Sequence, residues 1–299
     1  MSGESLYGRS CRVIIQGMSA TQGDYLNPGP GQAIEIDGSD DKANPGLRIQ
    51  FKITKTREKH PNTGEITISN LSPTRRASLQ QKGIRVTLEA GYVSTGRTRI
   101  FSCDARTVDH ILKGADWETV IKGGDGERSF QWARVNESFA AGTGAGDILK
   151  RLAQASGLAI GNVPDMVANL AVTFQNGYVV DGLARNSIDR LVKSLGYTWS
   201  IQDGALQVLS PGGTVGVLIP EIGPDSGLIG SPEMGSPEKK GKPALVKFKS
   251  LLVAVRPGGR VRLKSERYNG QVRLKKVEHE GDTMGGPWYT NMEGVIDAG

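Results

Sequence analysis

The run Gly142–Thr143–Gly144–Ala145–Gly146–Asp147, set just before an amphipathic segment, is the nearest thing to a chemical motif in this 299-residue chain. A phosphate cradle needs glycines that let backbone N–H groups approach an anion at a helix N-terminus. Here the spacing is GxGxG, the next position is the anion Asp147, and no GK[ST] triplet is present. The run therefore reads as a flexible lead-in ending in an Asp147 N-cap. His279 lies between Glu278 and Glu280, but successive side chains of a strand point to opposite faces, so the three cannot converge on one ion. His60 and His110 fall in separate turn and strand contexts, whereas a transition-metal site needs several His or Cys ligands. Cys11 and Cys103 lack CxxC spacing and read as reduced, buried thiols. Glu137 and Asp147 form the one acid pair worth weighing for glycoside hydrolysis, which needs two carboxyls roughly 5–9.5 Å apart. Asp147 has the better use as a cap. With no GxSxG or HExxH signature either, the expectation is a chain with no catalytic residue, no cofactor-binding residue and no metal ligand.

The elements around these residues read as strands with a helical interlude. Gly (41) and Pro (14) are plentiful, which suits short strands joined by turns. In 1–126, Leu47, Ile49, Phe51 and Ile53 alternate with polar residues, a His60–Gly64 turn follows, and Ile66 and Ile68 continue the alternation. This makes a long hairpin over 47–70 with a charged tip, Lys55 to Lys59. Ser72–Pro73 opens a short helix, and strands over 86–90 and near 98–108 and 115–123 complete a first barrel. In 127–205, Asp147 and Ser187 each cap a helix that ends at Gly157 or Gly196. A hairpin turning at Asp203–Gly204 follows, giving a small α+β module. In 206–299, a Gly/Pro-rich connector (211–243) leads to strands over 246–252, 261–263 and 272–277, with a β-bulge at Lys275–Lys276. The fold class is mainly β: two tube-like antiparallel β-barrels flanking an α+β domain. Identity between the two barrels is too weak to read as a repeat. The net charge of +6 comes mainly from 239–276, with thirteen Lys/Arg against Glu266 alone. That stretch reads as the polar side of amphipathic strands rather than a nucleic-acid surface, since no aromatic stacking platform accompanies it. No segment resembles a signal peptide, and the longest weakly charged run, 205–220, is broken by Pro and Gly, so no membrane anchor is expected.

Four segments in collinear order carry a family resemblance: NTGEITISNLSPTRRASLQQKGIRVTLEAGY (62–92), GADWETVIKGGDGE (114–127), GYVVDGLARNSIDRLVKSLGYTWSIQDGALQVLSP (177–211) and RVRLKSERYNGQVRLKKVEHEGDTMGGPWYTNMEG (260–294). Together they resemble the hub proteins of bacteriophage tail baseplates, the late-control-D-like, two-barrel hub family. The resemblance implies a homotrimer in which six barrels form a pseudo-sixfold ring that joins the tail tube to the central spike or fibre. It further implies as partners the tail tube or distal tail protein, the spike or fibre, other baseplate subunits and, as a further candidate, the tape-measure protein. DNA would pass the lumen without specific binding. The implied location is the virion tail baseplate, assembled in the host cytoplasm. Within this frame the 47–70 hairpin is expected to be an assembly element, pairing edge to edge with a neighbouring subunit. The alternatives are a tail-associated cell-wall hydrolase and a nucleic-acid-binding module resting on 239–276.

Overall fold

Strand alternation becomes a single large antiparallel sheet in the computed structural model, which describes residues 8–17, 33–39, 46–80, 83–162, 172–216, 219–235 and 244–296. The N-terminal part supplies β1 (Arg9–Gly17), β2 (Ile34–Asp37), β3 (Ile49–Thr56), β4 (Thr63–Ser69), β5 (Ile84–Tyr92), β6 (Gly96–Lys113) and β7 (Asp116–Gly124). Helix α1 (Pro73–Ser78) starts at Ser72, whose hydroxyl accepts the Arg75 N–H, with Pro73 in the first turn as its fixed φ favours. The C-terminal part supplies β15 (Glu221–Ile222), β16 (Leu228–Met234), β17 (Leu245–Leu251), β18 (Arg260–Lys264), β19 (Asn269–Asp282) and β20 (Trp288–Ile296). These form one 13-stranded sheet in the order β16–β17–β20–β19–β3–β4–β7–β6–β5–β1–β2, with β18 beside the first half of β19 and β15 beside β18.

One face of the sheet is apolar and divides into two cores. Ile49, Phe51, Ile66, Val86, Leu88 and Phe101 lie in the first, and Phe248, Val261, Leu263, Leu274 and Met292 in the second. The two expected barrels are thus halves of one sheet that share β19. A third core belongs to the middle module: α2 (Glu127–Trp132), β8 (Glu137–Phe139), β9 (Thr143–Gly144), α3 (Ala145–Ala155), β10 (Ala159–Ile160), β11 (Thr173–Phe174), β12 (Tyr178–Val180), α4 (Ala184–Ser194), β13 (Thr198–Gln202) and β14 (Ala205–Leu209). Ile148, Leu149 and Leu152 of α3 meet Ile188, Leu191 and Val192 of α4 there.

Several sequence expectations need adjusting. The 205/206 boundary falls inside the β13–β14 hairpin, and Leu206 and Val208 both belong to the middle core. The first lobe is not confined to 1–126, because β19 pairs with β3 and Trp288 packs in the first core. The 211–243 connector contains β15 and β16; its residues 217–218 and 236–243 lie outside the described residues. Asp147 is not the N-cap of α3, which starts at Gly144; it sits in the first turn and pairs with Lys150. Ser187 is buried within α4, one turn past its start at Leu183. The 47–70 hairpin has no free edge, since β19 takes the outer side of β3 and β7 that of β4. The β-bulge, by contrast, lies where the slip in alternation puts it: β19 shifts register between Leu274 and Lys276.

The two lobes also repeat each other, although their identity is too weak for the sequence to show it. In β6, Arg106 is the extra residue between Ala105↔Gly123 and Thr107↔Lys122. In β19, Lys275 is the extra residue between Leu274↔Gly294 and Lys276↔Glu293. Aligned on the bulge, Val108–Asp109–His110 matches Val277–Glu278–His279, and Trp117, Thr119 and Gly123 match Trp288, Thr290 and Gly294. His110 Nδ1 meets Thr119 Oγ1 at 3.1 Å, and His279 Nδ1 meets Thr290 Oγ1 at 3.0 Å. On the other side, Arg85, Val86 and Leu88 of β5 match Arg260, Val261 and Leu263 of β18. The signal in the sequence is W-x-T-x3-G preceded by V-[D/E]-H, too sparse to register without the strand pairing.

Trp288 carries the C-terminal strand into the first core, 5.5 Å from the Phe51 ring in an edge-to-face contact, and is 4% exposed. Trp288→Ala is expected to lower unfolding stability by about 3–5 kcal/mol, read as a reduced midpoint in urea denaturation.

Candidate functional site: a buried polar joint between three packing units

The first and middle cores meet at a cluster of polar side chains built from strand ends, beside the strand β19 that carries part of the second core. The β13–β14 turn, Asp203–Gly204, has positive φ at both residues, 55° and 80°, the geometry of a tight hairpin turn. It points into the end of the first lobe. Lys55, near the end of β3, is 1% exposed and its ammonium donates to Asp203 Oδ1 at 2.7 Å and Oδ2 at 2.9 Å. Asp125, just past β7 and fully buried, accepts the backbone N–H groups of Asp203 and of Gly204, the latter at 2.6 Å. Asn62 closes the cluster. Its Oδ1 accepts the Thr56 N–H at 2.8 Å, and its Nδ2 donates to Ile201 O and Gln202 Oε1, both at 3.0 Å. Gln202 Nε2 returns a hydrogen bond to Thr56 O at 2.7 Å. Gly126 lies beside it with φ +59°; a Cβ there would stand 2.9 Å from Ile201, so the close approach of lobe and module requires glycine.

Charge in so dry a place must be matched. Burial, and then the Asp203 charge, pushes the Asp125 carboxyl upward, against the pull of Lys55 and the two N–H donors. His279, in the strand paired to β3, is fully buried; burial first and Lys55 second lower its pKa to about 3, so it is neutral in the fold. Lys55 is therefore no part of a solvated hairpin tip, as its charge alone suggested. The rest of the tip also turns inward to the chain's own module: Lys59 reaches Asp189 at 3.4 Å and the His60 ring lies 5.9 Å from Phe130.

A second joint links the first lobe to α2, where the Arg106 guanidinium at the bulge meets the Glu127 carboxylate through Nε (2.9 Å) and Nη2 (2.8 Å). A third ties Arg48 of the first lobe to Asp282 at the end of β19, 2.7 Å, with Gln50 donating to the same carboxylate at 3.0 Å. Arg48 draws the Asp282 pKa below its ordinary value, against its burial.

The residues singled out for chemistry disperse. Glu137 pairs with Arg151 and Asp147 with Lys150, both at the surface. His110 bridges Thr119 and the Arg76 carbonyl. Cys11 and Cys103 are free, buried thiols whose pKa values burial raises above the usual range. Among the described residues no three His, Cys, Asp or Glu side chains are grouped to hold a metal ion, and no helix is long and apolar enough to cross a membrane. Of the 239–276 cations, Lys247, Lys264 and Lys276 pair with Glu293, Glu221 and Glu278, and the Lys249 ammonium lies 3.3 Å from the Tyr289 ring centroid.

Lys55→Met leaves two carboxyls in a dry site without their cation and is expected to cost about 3–5 kcal/mol; Lys55→Met/Asp203→Asn should recover part of it, as chemical denaturation would show. His279 binds a proton in the unfolded chain below about 6.5 but in the folded one only near 3. Stability from this residue is thus present above pH 6.5 and is lost as pH falls towards 3. Between pH 7 and 4.5 the native protein should lose roughly 2 kcal/mol more than His279→Gln, measured as urea midpoints at the two pH values.

No family model and no curated protein matches the sequence. The fold does have solved counterparts. The 43 kDa tail protein of prophage MuSo2 from Shewanella oneidensis superposes with a TM-score of 0.61 at 8% identity, over 95% of this chain and 96% of that one. The tail protein from Neisseria meningitidis MC58 gives 0.59 at 10% identity, over 97% of each. The Francisella PdpA–VgrG complex in its lidded form gives 0.55 at 8% identity over 98% of this chain, which spans about half (53%) of that longer one. Over nearly its whole length, the chain has the fold of these tail proteins.

Proposed function

We propose that this chain is the structural hub of a phage-type tail baseplate, forming a homotrimeric ring that joins the tail tube to a central spike or fibre. The observation that carries the reading is the repeated bulge, His–Thr pair and strand order in two lobes of one sheet, within a fold shared along its whole length with tail proteins. Two near-equivalent lobes per chain let three chains offer six similar positions, which is how a threefold assembly can meet a sixfold one.

The outer face of the shared sheet supports the same reading. Tyr289, Glu280, Lys52, Glu65 and Lys122 lie side by side on five neighbouring strands, β20, β19, β3, β4 and β7. Their signs alternate across the joint between lobes, and Lys122 pairs with Glu65 at 3.2 Å. A face that is polar and locally neutral suits the wall of a wet channel: it stays hydrated and holds no strong field to trap a passing polyanion. On this reading the partners are the tube or distal tail protein, the spike or fibre, other baseplate subunits and the tape-measure protein, with assembly in the host cytoplasm. The PdpA–VgrG counterpart adds a precedent for this fold within a larger complex. The chain is a scaffold and not an enzyme: Glu137 and Asp147, the acids weighed for hydrolysis, are held in ion pairs, which disfavours a cell-wall hydrolase, and Lys247, Lys264 and Lys276 of the basic stretch pair with acids, which disfavours a nucleic-acid module.

Cryo-EM of tails containing this protein should show three copies around one axis between tube and spike, and a zymogram on peptidoglycan should stay blank. A single copy in the mature particle, or lysis abolished by Glu137→Gln, would overturn the reading.

A further inference from the structure

The joint between the two lobes of one chain has an empty equivalent. In the second lobe, β19 is flanked on one side by β20 and on the other by β18 along 269–273 and then by β3 along 276–282. In the first lobe, β6 is flanked on one side by β7 and on the other by β5 along 96–104. Beyond the bulge at Arg106, no described strand pairs with that second side. Among the described residues, nothing fills beside 107–113 of β6 the slot that β3 fills beside β19. The strand that corresponds to β3 is β16: β3 follows β7 and β4 in the sheet as β16 follows β20 and β17, and the outer side of β16 has no described partner either.

The geometry points to β16 of one copy of this chain pairing antiparallel with residues 107–113 of β6 in the next, repeating between chains the β3–β19 joint found within each. This inference deepens the ring reading above and rests on it. Transferring the register of the in-chain joint, where Ile53 faces His279, Lys52 faces Glu280 and Gln50 faces Asp282, puts Met234 opposite His110, Glu233 opposite Ile111 and Ile229 opposite Lys113.

Two independent features fit. First, both vacant edges expose apolar side chains: Ile111 at 43% and Leu112 at 56% on β6, Ile229 at 38% and Met234 at 43% on β16. Burying them together removes apolar surface from water while unpaired strand groups gain partners. Second, the sizes are complementary in both joints with the roles reversed. Within the chain, Phe51 lies over Gly281, where a Cβ would come within 2.2 Å of its ring. The position matching Gly281 is the bulky Leu112, and the positions matching Phe51 are Gly230, Ser231 and Pro232, inserted at the β16 irregularity. Each chain presents one such β16 edge and one such β6 edge, so the contact is head-to-tail and closes only as a ring.

Cysteine pairs test the register. Directly opposed residues in an antiparallel pair lie about 4.5–5.5 Å apart at Cα, within disulfide reach, and the native thiols are buried. Ile111→Cys/Glu233→Cys, oxidised in assembled tails, should move most of the protein into covalent dimers and trimers on non-reducing gels, with each single variant remaining monomeric. Lys113→Cys/Ile229→Cys reads the same register at a second point, and circular dichroism checks that the variants fold. Rings of three copies in which neither pair cross-links would overturn the joint and leave the ring reading standing; the absence of any ring would overturn both.

Discussion

A β-strand has two hydrogen-bonding edges, and β19 uses both along nearly its whole length. β20 occupies one, while β18 and then β3 divide the other at the bulge. Fourteen residues of backbone thereby hold two cores in one sheet. Backbone pairing fixes the lobes more rigidly than side-chain packing could, because sliding one lobe against the other would break a ladder of bonds and move each inward side chain to the wrong face. The bulge makes the sharing possible: one extra residue changes the local twist where the partner on that side changes.

Around that strand, buried charge lies where packing units meet. Lys55, Asp203 and Asp125 bind the middle module to the first lobe, Arg106 and Glu127 add a second link, and Arg48 with Asp282 closes the far end of β19. Pairs of this kind contribute little net stability, but breaking one is costly, so they specify one arrangement of the units over others. His279 illustrates how the arrangement constrains a titratable group. Burial beside an ammonium keeps its ring neutral, and its hydrogen bond to Thr290 serves packing in the same way as the exchange between His110 and Thr119. A histidine flanked by two glutamates, suggestive in one dimension, is thus an inward-facing strand residue whose neighbours face out.

The chain carries few concentrated chemical signatures among its described residues, and its clearest structural feature is the equivalence of its two lobes. The paired lobes share a neutral polar face that crosses their joint, and among the described residues the slot beside the bulged strand is filled in one lobe and not in the other. Large apolar side chains are exposed on β6 and β16 but not on β3 or β19, where the in-chain joint covers them.

The sequence by itself determined the local elements. Alternation at Ile49–Ile53 and Val261–Leu263, the Asp203–Gly204 turn, Pro73 after Ser72, and the slip at Lys275 each act over a few residues through sterics and backbone hydrogen bonding, so they are legible in order along the chain. Dispersed histidines and unpaired cysteines are equally plain there. Only the tertiary structure decided which strand edges are free. The 47–70 hairpin looks open in sequence because nothing nearby can reveal that β19, more than two hundred residues later, will occupy its edge. Lys55 reads as a tip charge for the same reason, its partner Asp203 lying in another module. The repeat stayed hidden because strand pairing constrains side-chain direction at every position but identity at only a few. Val–acid–His and Trp, Thr and Gly align once the bulges are superposed, and the rest of each lobe was free to drift.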